Sequence, residues 1–291
     1  MTQTANRTTE LPFLGVGLGY RPALREGIFA FKDEIDFLEI ITEQYIDKAN
    51  DRDKLAKVCE QFQVIPHGVS LSIGSMSPLD RDYLRAVKQI SDLTRSPYYS
   101  EHLCMTSAPG IEIGHLSPLW FNEETLQNTI RKVSEVQEYL GKPLILENVT
   151  YLFELPASPM SQTTFFQRLV GATGCGVLLD ATNVFINSLN HHFDPIAFLD
   201  EMPLDHVVQV HLAGGYWRDE TFIDGHSELV QEESWDVFKA LVARCQVKGV
   251  IFEHDDNFPE MMLLVEQIRR ARNILRGEAE AIRSWKIRDD S

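Results

Sequence analysis

Six residues able to bind a metal ion stand at one recurring place in the sequence, the end of a short apolar run. The runs are VIPHGVSLSI with His67, PYYSEHL with His102, PLILENV with Glu147, GVLLDATN with Asp180, VVQVHLAGG with His211 and GVIFEH with Glu253. A lone histidine in an apolar stretch is ordinarily a satisfied core residue. Three imidazoles and three carboxylates at the same relative position in successive runs point instead to one shared polynuclear metal site. Mixed nitrogen and oxygen donors without a thiolate suit iron, manganese or zinc, and poorly suit Cu(I) or an iron–sulfur cluster. His67, His102 and Glu147 form a two-histidine, one-carboxylate set, the arrangement that leaves positions open for dioxygen and substrate on non-haem Fe(II). Glu147 can bridge to a second ion held by Asp180, His211 and Glu253.

A third, weaker set follows in the loops. Asn183 lies three residues beyond Asp180, and FIDGHS places Asp224 and His226 two apart in a Gly-containing segment where both can turn toward one ion. Taken alone, D-x-H is usually a solvated turn. Other suggestive residues have plainer readings. His191 and His192 in NSLNHHFDP read as a helix-entry loop with at most one functional member, since adjacent side chains point in different directions. His254 is expected to point away from the site or line its rim, and Cys104 to be a buried thiol. Glu43, ending the second strand in ITEQY, is either a supporting or substrate-binding group or a surface one. GVGLG at 15–19 lacks the phosphate-loop spacing and reads as close backbone packing.

Bringing distant donors together requires a scaffold whose strands end at one face. Strand-like runs are read at 13–19, 36–41, 65–73, 97–103, 143–149, 176–183, 207–213 and 249–254, with amphipathic helical stretches at 79–94, 122–140, 161–171, 232–244 and 259–274. In 122–140 the residues Leu126, Ile130, Val133, Val136 and Leu140 recur at three- and four-residue spacing behind Asn122, a suitable N-cap. Alternation of this kind gives a parallel sheet with helical crossovers, and eight strands in about 250 residues favour a closed α/β barrel of the TIM type. Catalytic groups in such a barrel converge at the C-terminal ends of its strands. The expected division is an N-terminal arm at 1–12, a single barrel domain at 13–275 and a tail at 276–291.

Bulk composition excludes some roles. With 27 basic against 43 acidic side chains, a formal charge of −16, the chain would repel nucleic-acid backbones and anionic lipid. Its first residues carry no apolar signal-like segment, and no run of about 18 apolar residues occurs, so a cytoplasmic protein is expected. Cys59, Cys104, Cys175 and Cys245 are widely spaced, form no CxxC pair and fit reduced thiols.

The ordered blocks HGVSLSIGS, SEHLCM, LENVT, LLDATNVFINSLNHHFDP, VHLAGG, IDGHS and FEHDDN closely resemble those of the multinuclear non-haem iron-dependent oxidative enzymes, from about Gly15 to about Glu266. That resemblance implies a barrel holding two or three iron ions of mixed Fe2+/Fe3+ valence, with dioxygen as co-substrate. It also implies oxidation of residues, often cysteines, in a ribosomally made precursor peptide, as in 3-thiaglutamate synthesis by excision of the cysteine β-carbon or methanobactin synthesis by oxazolone and thioamide formation. By matching motif the ligands would be His67, His102, Glu147, Asp180, His211 and Glu253, the expected catalytic set, with Asn183, Asp224 and His226 for a third ion. A separate leader-binding partner protein is implied as well. The chain departs from the common family pattern at Ala181 and Thr182, at His254, and at Gly225, where a threonine is usual.

Two other enzyme readings use similar barrels: a divalent-metal sugar isomerase, which would want catalytic lysines near the metals, and a trinuclear-zinc phosphodiesterase, which would want a basic surface. A metal-storing protein is a third reading, at odds with donor sets that leave coordination positions open.

Overall fold

The apolar runs become eight parallel strands that close on themselves. They are β1 (Gly15–Gly19), β2 (Phe37–Ile41), β3 (Gln63–Gly68), β4 (Tyr99–His102), β5 (Leu144–Glu147), β6 (Gly176–Asp180), β7 (Val207–Leu212) and β8 (Gly249–Phe252). Each pairs with its sequence neighbour, and β8 pairs back to β1, so the sheet has no free edge. The structure, a computed structural model, describes residues 7–46, 49–153, 155–156 and 158–277. The first six residues of the expected arm and the tail from 278 onward lie outside the described residues.

Helices cover the outside of the barrel. The one at Glu123–Leu140 is capped as its sequence demands: Asn122 accepts from the Thr125 N–H at 2.9 Å, and Gly141 ends it in the left-handed conformation at φ 72°. Its buried face carries Leu126, Val133, Val136 and Leu140. No helix among the described residues is long and apolar enough to cross a membrane.

The barrel interior changes character along its axis. Leu11, Phe37, Ile65, Tyr98, Ile145, Leu178, Val208 and Ile251 form an apolar plug at the N-terminal side. One residue pair further along the strands, Glu39, Ser100 and Gln209 are buried, and above them the donors collect. The register between β6 and β7 shifts between Val177 and Leu178, so that Val208 joins the plug while Gln209 and His211 meet Glu39. In the middle of β1 a side chain on Gly17 would run into the Phe37 carbonyl of β2, so GVGLG serves close backbone approach.

Some expected boundaries move. The run at 65–73 leaves the sheet at Gly68, and its continuation is a loop tied down by the buried Lys132, whose ammonium donates to the carbonyls of Ser72 and Ser75. The run at 176–183 stops at Asp180, because that carboxylate accepts from the Asn183 N–H at 2.7 Å and caps the helix Ala181–His191. His191 and His192 therefore stand at a helix exit rather than an entry: His191 is the last helical residue and His192 the left-handed cap at φ 57°. Two hairpins, Met105–Ala108 with Ile111–Ser117 and Tyr216–Arg218 with Thr221–Ile223, rise from the loops after β4 and β7.

Candidate metal centre

Register places the strand-end donors side by side. His102 lies opposite Glu147, and Asp180 opposite His211, in adjacent strands. Glu253 follows β8 by one residue and is fixed by its N–H donating to the Leu212 carbonyl at 3.0 Å. Among the described residues, two groups of histidine and acidic donors each lie within 4.8 Å of one another: His67, His102 and Glu147, and Glu147, Asp180, His211 and Glu253. Glu147 belongs to both.

In the first group the Nε2 atoms of His67 and His102 lie 3.4 Å apart and face Glu147 Oε2 at 3.3 and 3.5 Å. The outer nitrogens fix the rings. His102 Nδ1 meets the Gly68 carbonyl at 3.0 Å, which can only accept, so Nδ1 carries the proton and Nε2 presents a lone pair. His67 Nδ1 meets Ser100 Oγ at 2.9 Å, and that hydroxyl can donate onward to the Pro66 carbonyl at 3.4 Å. Both histidines are thus set as Nε2 ligands.

In the second group the ring is reversed. His211 Nδ1 faces Glu253 Oε2 at 3.1 Å and Glu147 Oε1 at 3.5 Å, while its Nε2 meets Glu39 Oε1 at 2.9 Å on the other side. Asp180 uses Oδ1 in capping, which leaves Oδ2 free, and Asn148 grips its backbone by bonds of 2.9 and 3.0 Å. Asn183 donates Nδ2 to the Asn148 carbonyl at 3.0 Å, so its Oδ1 is turned elsewhere.

Orphaned atoms test whether metal ions fit. Glu147 Oε2, Asp180 Oδ2, Asn183 Oδ1, His211 Nδ1 and Asp224 Oδ1 are buried without a hydrogen-bond partner. Each unpaired buried polar atom costs about 1–3 kcal/mol, and five in one cluster would be a heavy burden for any purely structural role. All five are lone-pair donors, which is what cations require. Charge balance agrees. Burial and then the neighbouring Glu147 and Asp224 carboxylates hold Asp180 well above its usual range. Burial opposes charge on His211, yet Glu253, Glu39 and Glu147 hold that imidazole well above its ordinary value. Multivalent cations between these groups would return both toward their ordinary charge states.

The loop residues adjoin this cluster. His226 Nε2 lies 2.9 Å from Asp224 Oδ1, and its Nδ1 lies 3.0 Å from Asp255 Oδ2 and 3.9 Å from Glu253 Oε2. Asp224 Oδ1 makes no aligned hydrogen bond despite that distance, and neither residue belongs to the two converging groups. Arg21, buried after β1, holds Asp255 through a 2.5 Å bond and lies 4.0 Å from Glu253 Oε1. A side chain at Gly225 would strike the Tyr216 ring, so a larger residue fits there only if that ring moves.

Other residues stay apart from the donors. His191 stacks on Tyr151 and meets its carbonyl at 2.7 Å. His254 Nε2 faces the Asn257 carbonyl at 3.2 Å. Glu43 accepts from the Val69 N–H at 2.8 Å and from the Tyr83 hydroxyl, and so braces the loop after β3. Burial pushes the Cys104 thiol well up, which makes it an inert core group. Sequence reasoning missed Glu39, Asn148 and Arg21. A charge inside the apolar FLEII was the available signal for Glu39; Asn148 and Arg21 gave none beyond their proximity to a donor and to a strand end.

Comparisons with known proteins give the family and the fold. A family sequence model described as RiPP precursor modification enzyme MbnB/TglH/ChrH matches residues 15–276. A UPF0276 protein of Rhizorhabdus wittichii is 34% identical over 82% of this chain and 86% of its own length, and one of Anaeromyxobacter sp. (strain Fw109-5) is 34% identical over 90% and 93%. Among solved structures, a D-tagatose 3-epimerase-like protein superposes with a TM-score of 0.55 at 15% identity, covering 91% of this chain and 99% of that one. The D-psicose 3-epimerase of Clostridium cellulolyticum H10 gives 0.56 at 12%, covering 90% and 98%. At such identities these two establish the barrel fold alone.

Proposed function

The chain belongs to the RiPP precursor modification enzyme family MbnB/TglH/ChrH, whose members act on ribosomally made precursor peptides, and from that premise we propose that it is an iron- and dioxygen-dependent oxidase of a peptide cysteine. Excision of the cysteine β-carbon is the favoured outcome, with oxazolone or thioamide formation as the alternative within the same chemistry. The observation that carries the reading is Glu147, shared between two donor groups whose unpartnered atoms are all metal-type ligands.

Iron in such a site supplies one-electron chemistry with dioxygen and acidifies a coordinated thiol. The protein's own part is placement. His67 and His102 present Nε2 with their tautomers set by Ser100 and Gly68, leaving that group with a single, shared carboxylate; so few protein donors would leave room on an ion for dioxygen and substrate. Asp180, His211 and Glu253 would hold the second ion, and Asn183, Asp224 and His226 a third. The cysteine Cβ–H bond must be brought beside the two groups, a task of proximity for which no protein nucleophile is needed. Loops after β4, β5 and β7 expose Ile111, Trp120, Phe153 and Trp217, apolar surface suited to an extended peptide. A separate leader-binding partner is part of the proposal, as is a cytoplasmic location.

The barrel likeness to sugar epimerases raises an isomerase reading, which wants a lysine at the metals. The buried lysines Lys132 and Lys239 are engaged elsewhere, with the Ser72 and Ser75 carbonyls and with Asp236. Metal analysis of anaerobically purified protein, followed by oxygen uptake with Cys-containing peptides, tests the assignment. Iron at two or more ions per chain and peptide-dependent oxygen consumption are expected; stoichiometric zinc without iron, and no oxygen uptake with any peptide, would overturn it.

A further inference from the structure

The three strand-borne histidines do not rest on the same kind of partner. His67 leans on the Ser100 hydroxyl at 2.9 Å and His102 on the Gly68 carbonyl at 3.0 Å, both neutral, while the Glu101 carboxylate stands 3.9 Å from His102 Nδ1, beyond hydrogen-bonding reach. His211 alone of the three rests on a carboxylate, Glu39 Oε1 at 2.9 Å, and the Gln209 amide Nε2 stands at the same distance from that ring nitrogen; as Glu39 can only accept, the ring proton on Nε2 goes to the carboxylate. Glu39 is 2% exposed and lies across the barrel interior from β7. Its other oxygen accepts from Gln209 Nε2 at 2.5 Å, and Gln209 Oε1 accepts from the Tyr98 hydroxyl at 2.5 Å. The chain Tyr98–Gln209–Glu39–His211 therefore fixes both carboxylate oxygens beneath the donors.

We propose that Glu39 is a positioning residue that fixes His211 as an Nδ1 ligand and concentrates negative charge behind it, so that the His211 group takes the more highly charged of two bound ions. The inference rests on the metal reading above and deepens it. A carboxylate accepting the outer N–H of an imidazole raises the basicity of the inner nitrogen and fixes the ring's orientation. The His211 group also has Asp180 and Glu253 as carboxylates of its own, besides the shared Glu147, whereas the His67 and His102 group has Glu147 alone. In a buried site these charges are poorly screened. Ferric iron is accordingly placed with His211 and ferrous iron with His67 and His102.

The test is Glu39→Gln, which keeps the shape and removes the charge, compared with Ser100→Ala, which removes a neutral partner. Proteins loaded anaerobically with 57Fe are titrated electrochemically and followed by Mössbauer spectroscopy, with iron affinity measured in parallel. Glu39→Gln should weaken the His211-group ion by about 10- to 100-fold and move its ferric/ferrous potential to more positive values, with the other ion's spectrum unchanged. Glu39→Asp should recover part of the shift. If Glu39→Gln fails to fold, Gln209→Met, which frees Glu39 Oε2 and removes the 2.9 Å contact of the Gln209 amide with His211 Nε2, should loosen the ring and weaken the same ion by less. Wild-type protein that binds iron while these variants leave potential, affinity and spectrum unchanged would overturn the role of Glu39 alone; wild-type protein that binds no iron would overturn the metal reading with it.

Discussion

Six of the candidate donors are carried at the ends of barrel strands and two, Asp224 and His226, by a loop, and the two kinds are held in different ways. The strand donors inherit their positions from sheet register: His102 faces Glu147 and Asp180 faces His211 because their backbones are paired. The loop donors depend on side-chain support. His226 adopts a left-handed backbone at φ 47° and is steered by Asp255, itself held by Arg21. Exposure follows the same division, with Asp180 and His211 at 0% and the Asp224 and His226 side chains at 19% and 18%. A strand-built site is costly to distort, whereas a loop-built one can lose or exchange its ion while the barrel stays intact.

Glu147→Gln attacks the strand-built part at its shared member. It should empty both groups, lowering iron below one ion per chain by elemental analysis, and reduce turnover by about 1000-fold or more, since several kcal/mol of metal-dependent stabilisation are lost together. Retention of two irons would end the bridging role of Glu147. His226→Ala attacks the loop-built part and should remove a single ion, leaving the spectra of the two strand-built ions in place. Asp255→Asn, which loosens His226 and weakens the hold on Arg21, should weaken that same ion by about tenfold. Equal loss of all ions in either loop variant would show that the two parts are one cooperative unit and dissolve the distinction.

The same division decides what could be read from sequence. A barrel strand announces itself as an apolar run, and its last residue marks the functional face, so all six strand-end residues and the barrel were legible without coordinates. Boundaries failed where a side chain overrode the apolar pattern. The run that begins with β6 reads as strand through Asn183, but the Asp180 cap starts a helix at Ala181. Both hairpins were missed although Pro109-Gly110 and Asp219-Glu220 sit where their turns fall. Glu39 was missed for a different reason. Its partner His211 is 172 residues away and on a strand that does not pair with β2, so neither periodicity nor spacing joins them.

Gly225 offers the smallest and most specific perturbation. A side chain at this position meets the Tyr216 ring and enters only if that ring shifts. Tyr216 belongs to the second hairpin and is itself 42% exposed, so the hairpin, rather than the barrel, imposes the glycine. Gly225→Thr should displace the Asp224-Gly225-His226 loop, weaken the loop-held ion by a few-fold and cost about 1 kcal/mol in stability, the usual range for overpacking at a yielding site. Gly225→Thr with Tyr216→Ala should recover metal affinity, because the double variant removes the obstruction. Such recovery, measured as a coupling between the two substitutions in a double-mutant cycle, locates the constraint in the loops. Failure of the second substitution to rescue the first would place it instead in the backbone of residue 225, and the loop donors would then be as rigidly specified as those on the strands.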